Sequence, residues 1–155
     1  MTKNDIFRRI RYIFDFSDQE VISIFAQAER TVGRPLISSW LKREGVKGYL
    51  EIKDVDLATF LNGFVIMKRG RREGPLPSPE VKLSNNDILK KLKVALSLRA
   101  EDILDLFDDA GMPISAPELS SFLRNPKQGK FRQLQDQYLR NFLIGLQMEH
   151  RDTEG

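Results

Sequence analysis

The sequence predicts an all-α protein that consists of two tandem, pseudo-symmetric copies of a small four-helix unit. When the 155-residue sequence is shifted by 82 positions, residues 4–66 align with residues 86–148 without a gap. Fourteen of these 63 pairs are identical, whereas chance would give roughly one match in sixteen for ordinary composition. Apolar residues recur at helical spacing in both copies, and no alternation of period two persists. Together these observations indicate an internal duplication of one helical domain.

The first two helices of each copy are predicted from their apolar stripes and their ends. The first helix is expected to open at Asn4 and at Asn86, because an asparagine side chain can cap the first turn. Apolar residues follow at i, i+4, i+7 and i+8, which gives one buried face. Gly111 is expected to end the second helix of the second copy.

The third and fourth helices are predicted from a capping motif and from two matched glycines. Ser115 and Glu118 form a capping-box pattern, with a proline in the first turn where its missing N–H costs nothing. Gly63 and Gly145 fall inside the fourth helix of each copy, where glycine costs about 1 kcal/mol relative to alanine. Their recurrence predicts close approach of a neighbouring helix.

The predicted boundaries are residues 1–67 for the first repeat, 68–83 for a basic linker, 84–149 for the second repeat and 150–155 for a frayed tail. The linker contains three prolines spaced by two, which favour an extended course: Pro75, Pro77 and Pro79. Most such segments only connect domains. The linker is therefore interpreted as a plain spacer, with a peptide held by a partner as the alternative.

Several chemistries are excluded or disfavoured by the residue types present. The sequence has no cysteine and a single histidine, His150, so it has no Cys/His nucleophile pair and no typical zinc site. The segment Gly45–Gly48 lacks the spacing of a phosphate-binding glycine loop. No catalytic, cofactor or metal site is predicted, and the protein is expected not to be an enzyme. Four aspartates in one helix are expected to form a solvated acidic face: Asp102, Asp105, Asp108 and Asp109.

The N-terminal sequence predicts a cytoplasmic location without membrane contact. The segment MTKNDIFRRIRYIF has charges in every turn and therefore no signal-peptide core. The longest apolar run near the end of the first unit, Phe64–Met67, is far too short to span a bilayer.

The chain resembles a known bacterial family over nearly its whole length, from Asn4 to about Gln147. The segments that carry the resemblance are NDIFRRIRY, NNDILKKLK, PELSSFLR and DQYLRNFLIGL. They are similar to the YehS-like family of unknown function, whose members contain tandem copies of domain of unknown function 1456. The most specific part is Leu139–Leu146. The resemblance implies a small cytoplasmic α-helical protein, and it supplies no substrate, cofactor or catalytic residue.

Positive charge is concentrated in the linker and on the first helix of each copy. The packed copies have net charges of zero and +1, whereas the linker has +3. Arginines on the polar face of the first helix recur as lysines in the second copy, which suggests a demand for positive charge. The ordinary wet face of an amphipathic helix is the alternative. The candidate contacts to nucleic acid or another acidic partner are Arg8, Arg9, Arg11, Lys42, Arg43, Lys68, Arg69, Arg71, Arg72, Lys90, Lys91, Lys93 and Arg124.

Two functional hypotheses lead from the sequence, and a third, a small-molecule enzyme, would require a concave pocket with convergent acid or base groups. The first is a non-catalytic binding protein that contacts nucleic acid through its basic helix faces and linker. The second and third helices have helix-turn-helix proportions, with about four connecting residues at Gly111–Ile114. The acidic helix before them would face phosphates badly, which disfavours sequence-specific DNA binding. The second hypothesis is an adaptor that holds a partner peptide between or beside the repeats.

Overall fold

A computed structural model describes residues 1–151 of the chain, and among these residues it has eight α-helices and no strand. The first compact unit spans Met1–Leu83, and the second begins at Ser84. The prediction of an all-α tandem duplication is confirmed, with four helices in each unit. The helices are α1 (Lys3–Ile13), α2 (Asp18–Gln27), α3 (Arg34–Leu41), α4 (Asp54–Arg69), α5 (Asn85–Ala95), α6 (Ala100–Asp109), α7 (Ala116–Leu123) and α8 (Asp136–His150).

The first helix of each unit is capped by a hydroxyl residue rather than by asparagine. Thr2 precedes α1, and its hydroxyl oxygen accepts a 3.0 Å hydrogen bond from the Asp5 N–H while the Asp5 carboxylate accepts from the Thr2 N–H. Ser84 and Asp87 form the same capping box at α5. The prediction that Asn4 caps α1 and that its counterpart caps α5 was wrong, because both lie inside the first turn and are buried.

Buried Asn4 instead ties the start of α1 to the α3–α4 connection. Its side-chain Nδ2 donates to the carbonyl oxygens of Trp40 and Leu50, both at 2.9 Å. Its Oδ1 accepts from the Ile52 N–H at 3.1 Å and from the Tyr49 hydroxyl at 3.2 Å. The amide thereby satisfies backbone groups at the end of α3 and in the loop that no helix ladder pairs.

Asn86 repeats this network in the second unit. Its Nδ2 donates to the carbonyl oxygens of Phe122 and Arg132 at 2.9 Å, and its Oδ1 accepts from the Leu134 N–H at 2.9 Å. Each partner lies 82 positions after its counterpart in the first unit. Tyr49 has no equivalent donor, because Phe131 occupies its position. The duplication therefore extends to individual hydrogen bonds.

The second and fourth helices of each unit approach closely at a glycine, as the sequence predicted. A Cβ atom built on Gly63 would overlap the carbonyl oxygen of Ile24 and lie 2.9 Å from its carbonyl carbon. A Cβ on Gly145 would overlap the Leu106 carbonyl oxygen in the same way. Neither contact could be relieved by a side-chain rotation, because the obstructing atoms belong to the backbone of α2 or α6.

Aromatic rings fill the core of the first unit. Phe60 on α4 lies 5.1 Å from Phe7 and 5.3 Å from Phe25 between ring centroids, and Phe25 lies 5.7 Å from Trp40. Such pairs contribute about 0.5–1.5 kcal/mol beyond the area that they bury. Trp40 is 3% exposed and is the only tryptophan in the sequence, so its fluorescence reports on the first unit.

The proline-rich linker packs on the first unit. α4 extends to Arg69, and the later residues Leu76, Pro77 and Pro79 enclose a cavity of about 50 Å³ against α4 and Ala28, the residue that follows α2. Leu83 is 2% exposed, and its N–H donates to the Asp54 carboxylate at 2.9 Å. At the other end of the chain, α8 extends to His150. Of the predicted tail 150–155, residues 152–155 lie outside the described residues.

Glu29 offers a test of how closely the two units correspond. It follows α2 with a left-handed φ of 60°, whereas the matched residue in the second unit is Gly111 with φ 81°. We expect Glu29→Gly to raise the free energy of unfolding by about 0.5–1 kcal/mol, because a left-handed non-glycine residue costs about 1–2 kcal/mol. The lost ion pair with Arg71, 3.0 Å long and more than half exposed, offsets part of this gain.

Urea unfolding followed by Trp40 fluorescence measures this change. Arg71→Ala is the control, because it removes the ion pair and leaves the backbone of Glu29 unchanged. A lower unfolding midpoint for Glu29→Gly than for Arg71→Ala would contradict the prediction.

Candidate nucleic-acid interface

Two of the predicted basic residues have a structural partner at the end of the third helix. Arg8 on α1 donates through Nη1 to the Lys42 carbonyl oxygen at 2.9 Å. Lys90 on α5 donates through Nζ to the Arg124 carbonyl oxygen at 3.0 Å. A cation at this position satisfies a terminal carbonyl group and complements the negative end of the helix dipole. This contact explains why the matched position holds an arginine in one copy and a lysine in the other. It also places Arg8 beside the backbone of Lys42, and Lys90 beside the backbone of Arg124.

The charge of Arg8 is further compensated by Asp5, which it contacts through Nη2. Partial burial acts to raise the pKa of Asp5, but hydrogen bonds from Thr2 and the Arg8 charge outweigh it and lower that pKa below its usual value. Asp5 is therefore ionised at neutral pH. Arg8 stands between a carboxylate and a helix end, which weakens its attraction for an external phosphate.

The other candidates on α1 and α5 are half-buried. Arg11 lies 3.7 Å from the Asp18 carboxylate of α2. Arg9, Lys91 and Lys93 are likewise neither fully buried nor fully exposed. The predicted basic faces are thus partly involved in packing within their own units.

The four candidate contacts in the linker, out of its five cations, all belong to the first unit and are exposed. Arg71 pairs with Glu29, and the Nζ atom of Lys68 lies 6.0 Å from the centroid of the Phe64 ring. Arg69 and Arg72 lie beside them in sequence and are also exposed. They form an accessible positive segment in which Arg71 already has a carboxylate partner.

The connection between α6 and α7 has the length that the sequence predicted. Residues 111–114 lie between Ala110, which caps the end of α6, and Ser115, which caps the start of α7, and residues 29–32 lie between the matching caps of the first unit. A turn of this length also joins helix pairs that do not bind DNA, so it does not distinguish the two functional hypotheses. The chain after α7 returns along the end of that helix, where the Arg132 N–H donates to the Ser121 carbonyl oxygen at 3.1 Å. Of the candidates near this helix pair, Arg43 is exposed and Lys42 is half-buried.

The connection between α7 and α8, residues 124–135, is strongly basic and is named here the basic loop. It contains four cations and no acidic residue: Arg124, Lys127, Lys130 and Arg132. The matched segment of the first unit, residues 42–53, also has four cations but contains Glu44 and Glu51. Of these four cations, the sequence predicted only Arg124 as a contact, because the net charge of the whole second copy is close to zero. The higher net positive charge of the basic loop is visible only when the two connections are compared directly.

The course of the basic loop is set by hydrogen bonds. Asn86 holds Arg132 and Leu134, and Asn85 Nδ2 donates to the Leu134 carbonyl oxygen at 3.0 Å. At the start of the loop, the Asn125 N–H donates to the Gln128 side chain at 2.9 Å. A loop backbone held in this way fixes the points at which its cationic side chains are attached, which lowers the entropic cost of ordering the loop on binding.

Lys130 is held in a conformation that L-amino acids rarely adopt. Its φ is 67°, and the matched residue of the first unit is Gly48 with φ 90°. Left-handed backbone at a non-glycine residue costs about 1–2 kcal/mol. A lysine where glycine would be more stable suggests that its side chain has a use.

Glu118 places a carboxylate beside the basic loop, and Asp136 directly follows it. Glu118 of α7 is 3.8 Å from the Arg132 guanidinium, which also lies 5.7 Å from the centroid of the Phe122 ring. The backbone N–H and hydroxyl of Ser115 lower the pKa of Glu118, against a small opposing effect of desolvation. Arg132 is therefore partly compensated, whereas Lys127 and Lys130 project from the exposed part of the loop.

Comparison with known proteins identifies the family. The family model described as "Protein of unknown function (DUF1456)" matches residues 3–70 and 85–152. The chain belongs to the DUF1456 family. It is 36% identical over 156 residues to "Uncharacterized protein YehS" of Escherichia coli (strain K12), with 100% of both chains covered. No solved structure matches the chain.

The two DUF1456 segments coincide with the two structural units, so one DUF1456 copy corresponds to one four-helix unit. Within residues 1–151, no helix is long and apolar enough to cross a bilayer. The same residues contain no group of three or more histidine, aspartate or glutamate side chains that could hold a metal ion. The basic loop lies within the second DUF1456 segment.

Proposed function

We propose that the protein is a non-catalytic binding protein that holds single-stranded nucleic acid on the basic loop of its second unit. The observation that carries this proposal is the fixed 12-residue loop with four cations and no carboxylate. Cationic side chains at fixed positions are suited to phosphate contacts, which supply most of non-specific nucleic-acid affinity.

An open groove of about 400 Å³ beside the loop favours a single strand. Its walls include the apolar side chains of Leu119 and Leu123, and Arg124 and Gln128 lie at its rim. An unstacked base can occupy an apolar groove and contact such polar groups, whereas a base inside a duplex cannot. The exposed lysines would then hold the adjoining phosphates.

A salt titration tests the proposal. Fluorescence anisotropy with labelled single-stranded and duplex oligonucleotides of mixed sequence should show tighter binding of the single strand. Three exposed cations, Lys127, Lys130 and Arg132, predict a slope of log affinity against log salt of about −2 for single strands, at about 0.7 per contact. No binding at low salt, or binding indifferent to salt, contradicts the proposal.

Lys130→Gly separates binding from stability. We expect this variant to raise the free energy of unfolding of the second unit by about 1 kcal/mol, because glycine adopts the left-handed backbone without strain. The same change should weaken oligonucleotide binding and reduce the salt slope by just under 1, since one phosphate contact is lost. Unfolding by circular dichroism and binding by anisotropy measure the two effects on one sample.

Lys47→Gln, in the matched loop of the first unit, is the control and should leave affinity within about twofold. Equal losses from Lys47→Gln and Lys130→Gly would show that binding follows net charge rather than the basic loop.

A further inference from the structure

The second unit also has an open groove of about 700 Å³ that the basic loop does not reach. It lies where α5 ends, beside α6 and the last residues of α8. Its apolar surface is formed by Leu96, Leu98, Leu106 and Met148. The basic loop ends where α8 begins, whereas Met148 lies near the other end of that helix, about 20 Å away at 1.5 Å per residue.

The corresponding region of the first unit is filled by three phenylalanine rings. The Phe14 ring lies 5.6 Å from Phe16 and 5.1 Å from Phe64, and Phe16 lies 5.7 Å from Phe64. The matched residues of the second unit are all leucines: Leu96, Leu98 and Leu146. Two of these leucines line the groove. The second copy therefore has smaller side chains where the first copy has a packed aromatic cluster.

Carboxylates have replaced neutral residues around the same groove. Asp105 and Asp109 occupy the positions of Ser23 and Gln27, and both are exposed groove residues. Glu149 lines the groove at the position of Met67. Asp102 also lines the groove and lies 3.6 Å from the Arg99 guanidinium, but it occupies the position of Glu20 and so adds no charge relative to the first copy.

We propose that this groove docks a cationic segment of a partner protein that presents apolar side chains on one face. The acidic rim attracts basic side chains, and the leucine and methionine surface requires apolar ones. Nucleic acid is repelled by the same rim, so this site is distinct from the basic loop. The groove volume falls in the range of sites that enclose several side chains or a small ligand.

The occupant is argued from this charge complementarity and from the divergence of the two copies. If the second unit had only lost the phenylalanine rings, the groove would be purely apolar. If it had only gained carboxylates, the surface would be an ordinary solvated acidic face. Both changes occur around one groove, and only a ligand with cationic and apolar groups uses both.

The test measures binding of a synthetic amphipathic peptide of lysine and leucine at helical spacing to the full chain. Asp105→Ser with Asp109→Gln restores the first-copy residues and should weaken binding about tenfold, since two ion pairs are lost. Leu96→Phe with Leu98→Phe refills the groove, retains every charge and should weaken binding to at least the same extent. Leu98→Phe alone serves if the double variant fails to fold.

Two controls make the test specific to the groove. Asp108→Asn removes an exposed carboxylate of α6 that does not line the groove, and Lys130→Gly alters the basic loop. Both should leave peptide affinity within about twofold. A scrambled peptide of the same composition should bind at least about tenfold more weakly, because it lacks an apolar face.

Three outcomes would overturn the proposal. Equal binding of the scrambled peptide, or full binding by the phenylalanine variants, would reduce the interaction to surface charge. The wild-type chain could also form salt-sensitive oligomers that dissociate in either groove variant. That result would identify the occupant as a second copy of the chain instead of a partner protein. If the full chain binds the peptide but does not bind oligonucleotides, only the proposed nucleic-acid function is contradicted.

Discussion

Asn4→Ala is expected to lower the free energy of unfolding of the first unit by about 4 kcal/mol, one of the two largest effects anticipated from the structure. The substitution removes the partners of two backbone carbonyls and one backbone N–H, those of Trp40, Leu50 and Ile52. An unsatisfied buried polar group costs about 1–3 kcal/mol. Asn4 is 1% exposed, so water cannot replace the amide without opening the core.

Urea denaturation followed by Trp40 fluorescence measures this loss, because that side chain lies in the same unit. Asn4→Asp should destabilise to a similar degree, since it keeps the acceptor for Ile52 but places a carboxylate against two carbonyl oxygens. Ser38→Ala, an exposed change on α3, is the control and should shift stability by less than about 0.5 kcal/mol. A loss below 1 kcal/mol for Asn4→Ala would show that the network does not hold the unit together.

Gly63→Ala is expected to destabilise the first unit by about 3 kcal/mol, although alanine is the better helix former by about 1 kcal/mol. The added methyl group would overlap the Ile24 carbonyl oxygen, so α2 and α4 would have to move apart. Overpacking of this kind typically costs about 1–3 kcal/mol and more where the backbone must shift. The sign of the effect therefore follows from packing rather than from helix propensity.

Thermal unfolding followed by circular dichroism and by Trp40 fluorescence measures the change in stability. A loss of stability shows that packing outweighs helix propensity, and a gain shows the reverse. Gly129→Ala is the matched control, because Gly129 is not in a left-handed conformation and a Cβ there would meet no atom within 4 Å. It should be neutral to within about 0.5 kcal/mol. A stabilised Gly63→Ala variant would mean that the helices can separate freely at this point.

The fold could be predicted from the sequence because the duplication presents each helix twice, in two different sequences. The capping box at Ser115 and Glu118, the close approach at Gly63 and Gly145, and the helix end at Gly111 were all predicted and are all present. These features depend on residue types with one dominant physical use. A glycine retained inside two helices has few explanations other than a neighbouring backbone.

Other features depend on tertiary contacts that local patterns do not reveal. Asn4 and Asn86 occur where a helix cap is common, and only the fold shows that they are buried against a distant loop. Arg8 and Lys90 resemble residues of a wet helix face until their carbonyl partners at Lys42 and Arg124 are known. The 700 Å³ groove lies at residues where the two copies differ, so the residues that they share do not reveal it.

The asparagine network has a consequence for how the chain can vary. Within the α3–α4 and α7–α8 connections, the asparagine side chains hold main-chain groups almost exclusively, at residues 50, 52, 132 and 134. None of the twelve matched pairs in residues 42–53 and 124–135 is identical, yet both segments are anchored at the same points. The surface residues of each connection can therefore vary between copies while its backbone keeps the same anchor points.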